Sequence, residues 1–458
     1  MPVAPVTARR PALPALRTGA DGFNRFVATL GYVGLLLLAT VGTSPFAEYT
    51  QAADDSQGDV LRQVLTGALF LLTLIGLRRS GRLAARWALP VGISVLLGYC
   101  LFTISWSMVP GVAIRRLALT TIVIWMLFAT SRELGYARTL YVTRIVLVLL
   151  LVCNFLTMLV PGLGTHPFVL GEDTSIVGDW RGMLPHKNMT GAVCAFTVLL
   201  FLFDRRRVPV AASLVVIPAA LIFLYFTHSR TSQGILLLAV IGGWLVRRYD
   251  ANYRGLALTL AILVGVVLIQ LVILYSGVLE NALSDPTALT GRAQIWPYLI
   301  DYAGRYPWTG SGFGSFWQIG PDAPIWDYTD GWIAEHAGHG HNGYLDLVVT
   351  IGLPGTLLAI AVLILWPITR LLTSFSIGRA QRSLLLAMLL FSAGHNMTET
   401  SLLDRMAIPN LFLFLAIALI YHLSNAGEGA HRQLRERALR LLRRVRRRPA
   451  RPLPRRAR

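Results

Sequence analysis

Charge is scarce in this sequence: of 458 residues only 14% are Asp, Glu, Lys or Arg, whereas 54% are hydrophobic, and mean hydropathy is +0.57. So little polar side chain cannot cover a soluble globule of this size, which leaves lipid as the solvent for most of the chain. Cysteine is nearly absent as well. Cys100, Cys153 and Cys194 lie at separate places inside apolar runs, so neither a disulfide framework nor a thiolate metal site is indicated. Lysine is reduced to Lys187 alone. An Asp-x-Asp motif and paired catalytic carboxylates are missing from the longer polar loops, which argues against metal-dependent transfer and glycoside hydrolysis. A cleavable leader is also expected to be absent, because Arg9, Arg10, Arg17 and Arg25 and several prolines lead straight into the first apolar run.

What is abundant is apolar sequence in stretches of roughly 17 to 25 residues, each long enough to cross a bilayer as a helix. Twelve are expected, near 26–42, 61–77, 87–105, 114–130, 142–160, 189–203, 208–227, 233–246, 255–276, 342–366, 383–395 and 407–423. The fold class is thus an all-α integral membrane protein of about 12 transmembrane helices. Two spans are short and the tenth runs into Pro354 and Pro367, so a broken or re-entrant helix is anticipated among them.

Short inner loops accumulate Lys and Arg. With both termini cytoplasmic, the inner segments hold 33 of the 42 basic residues and only 6 of the 23 acidic ones. The pI near 10.7 then reflects topology and contact with anionic membrane lipids, not nucleic acid. The chain divides into an N-terminal segment 1–25, nine helices over 26–276, a large outer loop 277–341, three helices over 342–423, and a basic tail 424–458. In the tail, Leu434, Ala438, Leu441, Leu442 and Val445 recur at helical spacing among arginines, which suits an amphipathic helix on the inner leaflet.

The large loop lies between helices 9 and 10. It carries Trp296, Trp308, Trp317, Trp326 and Trp332 among Gly and Pro, a composition suited to an ordered loop over the membrane more than to a separate domain.

Few cations stand on the outer side, so each invites an explanation. Arg181 and Lys187 flank the block Trp180 to Asn188 just before the sixth helix, whose positive N-terminal dipole and free N–H groups would favour an anion. Arg230 sits in the tight turn between helices 7 and 8, and Arg292 opens the large loop. These four are expected to converge on one pocket, whereas Arg115, Arg116 and Arg305 suit snorkelling to lipid phosphate. His336, His339 and His341 close the large loop. Their spacing resembles no standard zinc set, although a metal remains a rival reading; a neutral His341 at a helix start suits proton abstraction from a hydroxyl. Asp346, one turn on, either orients that imidazole or satisfies a buried polar neighbour.

Several blocks then match together. His341-Asn342 is followed after nine residues by Gly352-Leu353-Pro354-Gly355, and Thr290 to Trp296, Tyr306 to Gly314 and Trp180 to Asn188 precede it in order. The set resembles the O-antigen ligase and O-antigen and exopolysaccharide polymerase superfamily of bacterial envelope glycosyltransferases.

That resemblance implies an inverting, metal-independent and cofactor-free transfer at the periplasmic face of the inner membrane. A glycan would move from an undecaprenyl-pyrophosphate-linked donor to a hydroxyl of a glycan or lipid A core acceptor. It implies His341 and Arg292 as catalytic residues and Arg181, Lys187, Arg230 and Arg292 as diphosphate ligands, with His186, Asn188, Asn342 and Asp346 in support. Trp308, Phe313, Phe316 and Trp317 either stack on sugars or form an interfacial belt. The alternative is a twelve-helix transporter of polysaccharide or lipid-linked glycan. Transporters place polar residues near mid-membrane and show related halves, whereas here the polar residues cluster at one face.

Overall fold

A computed structural model of the protein describes residues 19–46, 58–78, 89–168, 174–205, 208–255, 259, 270, 292–329, 333–334, 337–404 and 406–426. Among them the chain is helical, with an isolated bridge between Thr165 and Trp180. The helices are α1 (Gly19–Thr40), α2 (Val60–Arg78), α3 (Val91–Thr103), α4 (Pro110–Thr157), α5 (Lys187–Leu202), α6 (Val210–Phe226), α7 (Arg230–Arg247), α8 (Arg292–Arg305), α9 (Gly343–Ile360), α10 (Trp366–Thr373), α11 (Arg379–His395) and α12 (Ile408–Ala426).

Five helical runs among the described residues are long and apolar enough to cross a membrane: Gly22–Thr40, Val60–Leu77, Pro110–Thr157, Gly343–Thr373 and Ile408–Ala426. Three more apolar helices are shorter. Most of the expected span 255–276 and the tail beyond Ala426 lie outside the described residues.

Two glycines with positive φ interrupt the long helical runs. The fourth and fifth expected spans are two helical stretches of α4, separated where Gly135 takes a non-helical conformation (φ 71°, ψ 160°). The tenth is broken as anticipated: α9 bends at Gly352 (φ 71°), and a π-turn over Ala361–Leu365 leads into α10.

The break at Gly352 has a use. A bend frees backbone groups that a straight helix would pair internally, and they must find partners. Leu353 N–H donates to the Pro307 carbonyl at 2.7 Å, and Ser311 N–H donates to that of Val349 at 2.9 Å. A Cβ at position 352 would lie 2.4 Å from the Trp308 carbonyl oxygen. The motifs Tyr306 to Gly314 and Gly352 to Gly355 are therefore two sides of one joint.

The segment from α8 to α9 has a small core of its own, in which Ile295, Leu299, Tyr302, Phe316, Trp317, Ile319 and Ile325 pack on Val112 of α4 and Val349 of α9. That core corrects the reading of the aromatic residues. Phe313, Phe316 and Trp317 are buried and have no face for a sugar, whereas Trp308 is 71% exposed. Arg116 does not merely snorkel: its guanidinium donates to the carbonyls of Gly314 (2.7 Å), Trp317 (2.9 Å) and Gln318 (2.9 Å), fastening the loop to α4. Arg305 pairs with Asp301 at 2.8 Å and lies over the Tyr328 ring.

In lipid, helices associate through close packing and interhelical hydrogen bonds, because the solvent is as apolar as the side chains. α12 is buried along most of its length, and its Phe412 stacks on Phe196 of α5 at 4.1 Å. α5 also meets the start of α7 closely: a Cβ on Gly191 would lie 2.7 Å from Ser229 Cβ. This approach carries the first turn of α5 to the first turn of α7.

Candidate active site

The site is built on helix starts. Asn342 caps α9, its Oδ1 accepting the N–H groups of Tyr344 and Leu345 at 3.1 Å. Gly343 N–H donates to the carbonyls of Asn396 (2.9 Å) and Glu399 (3.1 Å), which docks this helix start on the turn joining α11 to α12. His341, just before the cap, takes a left-handed φ of 50°. Its Nδ1 lies 3.2 Å from Glu399 Oε2, and the other carboxylate oxygen accepts Asn188 Nδ2 at 2.7 Å.

Glu399 is 7% exposed. An ionised carboxylate only accepts hydrogen bonds, so it selects the tautomer with the proton on Nδ1 and leaves Nε2 of His341 as the basic atom. His339 Nδ1 accepts the His341 N–H at 3.3 Å.

The hydrogen bonds of Asp346 go to the scaffold around His341 and not to its ring. The carboxylate accepts Trp317 Nε1–H at 2.8 Å, Gly340 N–H at 3.0 Å and the Thr400 hydroxyl. Trp296 Nε1–H donates to the Gly340 carbonyl at 2.9 Å. Asp346 and Trp296 thus hold the glycine turn that delivers His341, while Glu399 orients the ring.

At α5 the arrangement departs from the simple picture of a bare helix end. Lys187 N–H donates to His166 Nε2 at 3.0 Å, and Asn188 N–H to His186 Nδ1 at 3.1 Å, so two of the terminal N–H groups already have imidazole partners. Burial, with His186, Arg181 and Lys187 alongside, pushes His166 down to about 3, which keeps it a neutral acceptor. Lys187 Nζ lies 2.5 Å from Asp179 Oδ2. Arg181 is buried and donates to the carbonyls of Thr165 (3.1 Å) and Phe46 (3.3 Å). These two cations fasten the segment leading into α5.

Arg230 is exposed at the first residue of α7. The neighbouring Thr231 hydroxyl is 2.8 Å from that of Thr398, so the α11–α12 turn reaches α5, α7 and α9 through Thr398, Glu399 and Thr400. Arg292 is the first residue of α8, one turn ahead of Trp296. Its side chain, with His336 and Arg405, lies outside the described residues. Among the described residues no group of three or more His, Cys, Asp or Glu side chains is arranged to hold a metal ion.

Sequence reasoning missed Glu399, Asp179 and His228. None stands in a recognisable block; the available signal was the placement of Glu399 in a short turn on the same side as His341. Curated proteins give no match to the chain. Residues 214–360 match the family model described as O-antigen ligase, a stretch that holds His228, Arg230, Arg292 and His341 but stops short of Glu399 and begins after Asn188. Over that segment, about a third of its length, this multi-pass helical membrane protein is similar to the O-antigen ligase family.

Proposed function

We propose that the protein is an inverting glycosyltransferase of the bacterial inner membrane, with about twelve crossings, both termini cytoplasmic, and the His341 site facing the periplasm. It moves an oligo- or polysaccharide from undecaprenyl pyrophosphate to an acceptor hydroxyl. The observation that carries this reading is the trio His341, Glu399 and Asn188, in which a buried carboxylate held on both oxygens presents one imidazole with its Nε2 available.

In the reaction the acceptor hydroxyl loses its proton to Nε2 of His341 as its oxygen attacks the anomeric carbon. The bond from that carbon to the phosphate oxygen breaks on the opposite face, so the centre inverts. Charge that develops on the departing diphosphate needs fixed cations. Arg230, exposed beside the site, and Arg292, at the start of α8, serve as its direct ligands. Arg181 and Lys187 act from behind by holding the loop that shapes the pocket, and Asn342 and Asp346 hold the turn before α9. No metal or cofactor takes part.

The block Trp180 to Asn188 favours a polymerase, with another lipid-linked glycan as acceptor, over a ligase to lipid A core. Purified protein in liposomes with defined lipid-linked donor and acceptor is expected to transfer glycan without any ion gradient. Movement of substrate across the bilayer with no new glycosidic bond would instead establish a transporter. In cells lacking the gene, accumulated single repeats indicate polymerase, and full chains left on carrier lipid indicate ligase.

A further inference from the structure

A second imidazole in the molecule is set on a buried carboxylate. His228, in the turn between α6 and α7, has Nδ1 2.5 Å from Asp179 Oδ1, and the other oxygen of Asp179 lies 2.5 Å from Lys187 Nζ. The Asp179 side chain is 10% exposed and that of His228 is 59% exposed. Because the carboxylate accepts, Nδ1 carries a proton, and Nε2 on the far edge of the ring is the atom available to a ligand.

Around this ring stand one cation, one aromatic ring and the start of α7. Lys187 shares its carboxylate, the Tyr225 ring is 6.3 Å away, and Arg230 N–H donates to the His228 carbonyl at 2.9 Å. Behind Asp179 stands His166, close enough to His186, Arg181, Lys187 and Asp179 to feel each of them electrostatically. His228 has a φ of 48°, a left-handed conformation that a non-glycine residue keeps only where its surroundings hold it. Lys187 is followed in the chain by Asn188, which holds Glu399. Two imidazoles, His341 from the start of α9 and His228 from the α6–α7 turn, are therefore joined through the first turn of α5, each with its Nδ1 on a carboxylate.

Resting on the transfer reading above, we propose that His228 serves the leaving group, donating from Nε2–H to the departing diphosphate, with Arg230 beside it. As the acceptor O–H proton passes to His341 and the new C–O bond forms, the bond between anomeric carbon and phosphate oxygen breaks. Its electron pair stays on that oxygen, which takes the Nε2 proton of His228. Each turnover leaves His341 protonated and His228 neutral, and exchange with water restores both. The enzyme must begin with His341 neutral and His228 protonated, so the rate falls on the acid side through His341 and on the alkaline side through His228.

The test is the pH dependence of kcat for the full chain in liposomes, using a polyprenyl-diphosphate-linked oligosaccharide as donor. His228→Asn suits the left-handed backbone and does not titrate. It is expected to lose the alkaline limb and about 10²-fold in kcat, while donor KM changes by no more than a few-fold. His228→Lys, a donor that stays cationic to higher pH, is expected to recover part of the rate with the alkaline limb moved upward. Both limbs retained at the wild-type rate in His228→Asn would overturn the role of His228 and leave the transfer reading standing. If His228→Asn is inactive at every pH, rescue by His228→Lys supports the proposal and no rescue overturns it. Absence of transfer by the wild-type protein would remove the function itself.

Discussion

The long segment from α8 to α9 and the short turn from α11 to α12 contribute in opposite ways. The first holds most of the recognisable blocks and aromatic residues, yet much of it is scaffold: its aromatics pack on one another, and its glycine-rich stretch seats against the broken α9. The second holds no block at all, yet Thr398, Glu399 and Thr400 reach α7, α5, α9 and His341. Density of sequence signal here follows the geometry needed to build a joint, whereas the carboxylate that meets the His341 ring comes from a turn constrained by only a few contacts.

The largest effect expected from this contrast is at its meeting point. His341→Ala should lower transfer by about 10³-fold or more while the protein still inserts and purifies normally; near wild-type turnover would remove the base. Next comes Glu399→Gln, which keeps shape and the bond to Asn188 but removes the charge that fixes the imidazole tautomer. A drop of about 10²-fold in kcat with little change in KM is expected, measured by glycan transfer in liposomes. An equal loss in KM alone would make Glu399 a substrate contact instead.

The scaffold side of the comparison predicts stability effects. Phe316→Ala empties the centre of the loop core and should cost about 3 kcal/mol, read as a lower midpoint for proteolysis of the segment 311–329. Trp308→Ala, at an exposed ring, should stay within about 0.5 kcal/mol. Equal losses for the two would mean that the loop core is not what holds this segment.

The smallest effect is on the loop before α5. His166 is neutral in the fold because its proton affinity is pushed down to about 3 from 6.5. An unfolded loop takes up a proton that the folded one refuses, so stability from this group is full above the ordinary value and falls as pH drops from 6.5 toward 3. The protection of residues 174–182 against hydrogen exchange, taken relative to the unstructured rate at each pH, should therefore fall over that window, and His166→Gln should flatten the dependence. Unchanged protection in the wild-type protein would remove this account of His166.

Much of the fold was legible because bilayer thickness imposes apolar runs of fixed length, and the described apolar helices fall where those runs stand. The break at Gly135 falls between the fourth and fifth expected runs, where the sequence turns polar. His341 and Asn342 were legible through their motif, and the break in α9 through Pro354. Arg181 and Lys187 were found but their partners were not, because a buried cation bonded to carbonyls or to a distant aspartate looks in sequence like one waiting for an anion. Glu399 was hidden for a related reason: it lies 58 residues beyond His341, and only the docking of α9 on the α11–α12 turn brings them together.

The proposed route from Glu399 to transfer runs through His341. A double-mutant cycle tests it directly, comparing kcat for His341→Gln, Glu399→Gln and the two combined. Residues that act as one unit give strongly non-additive losses, so the double variant should be no slower than His341→Gln alone. Losses that multiply, with the double variant slower by the full factor of Glu399→Gln, would contradict the account.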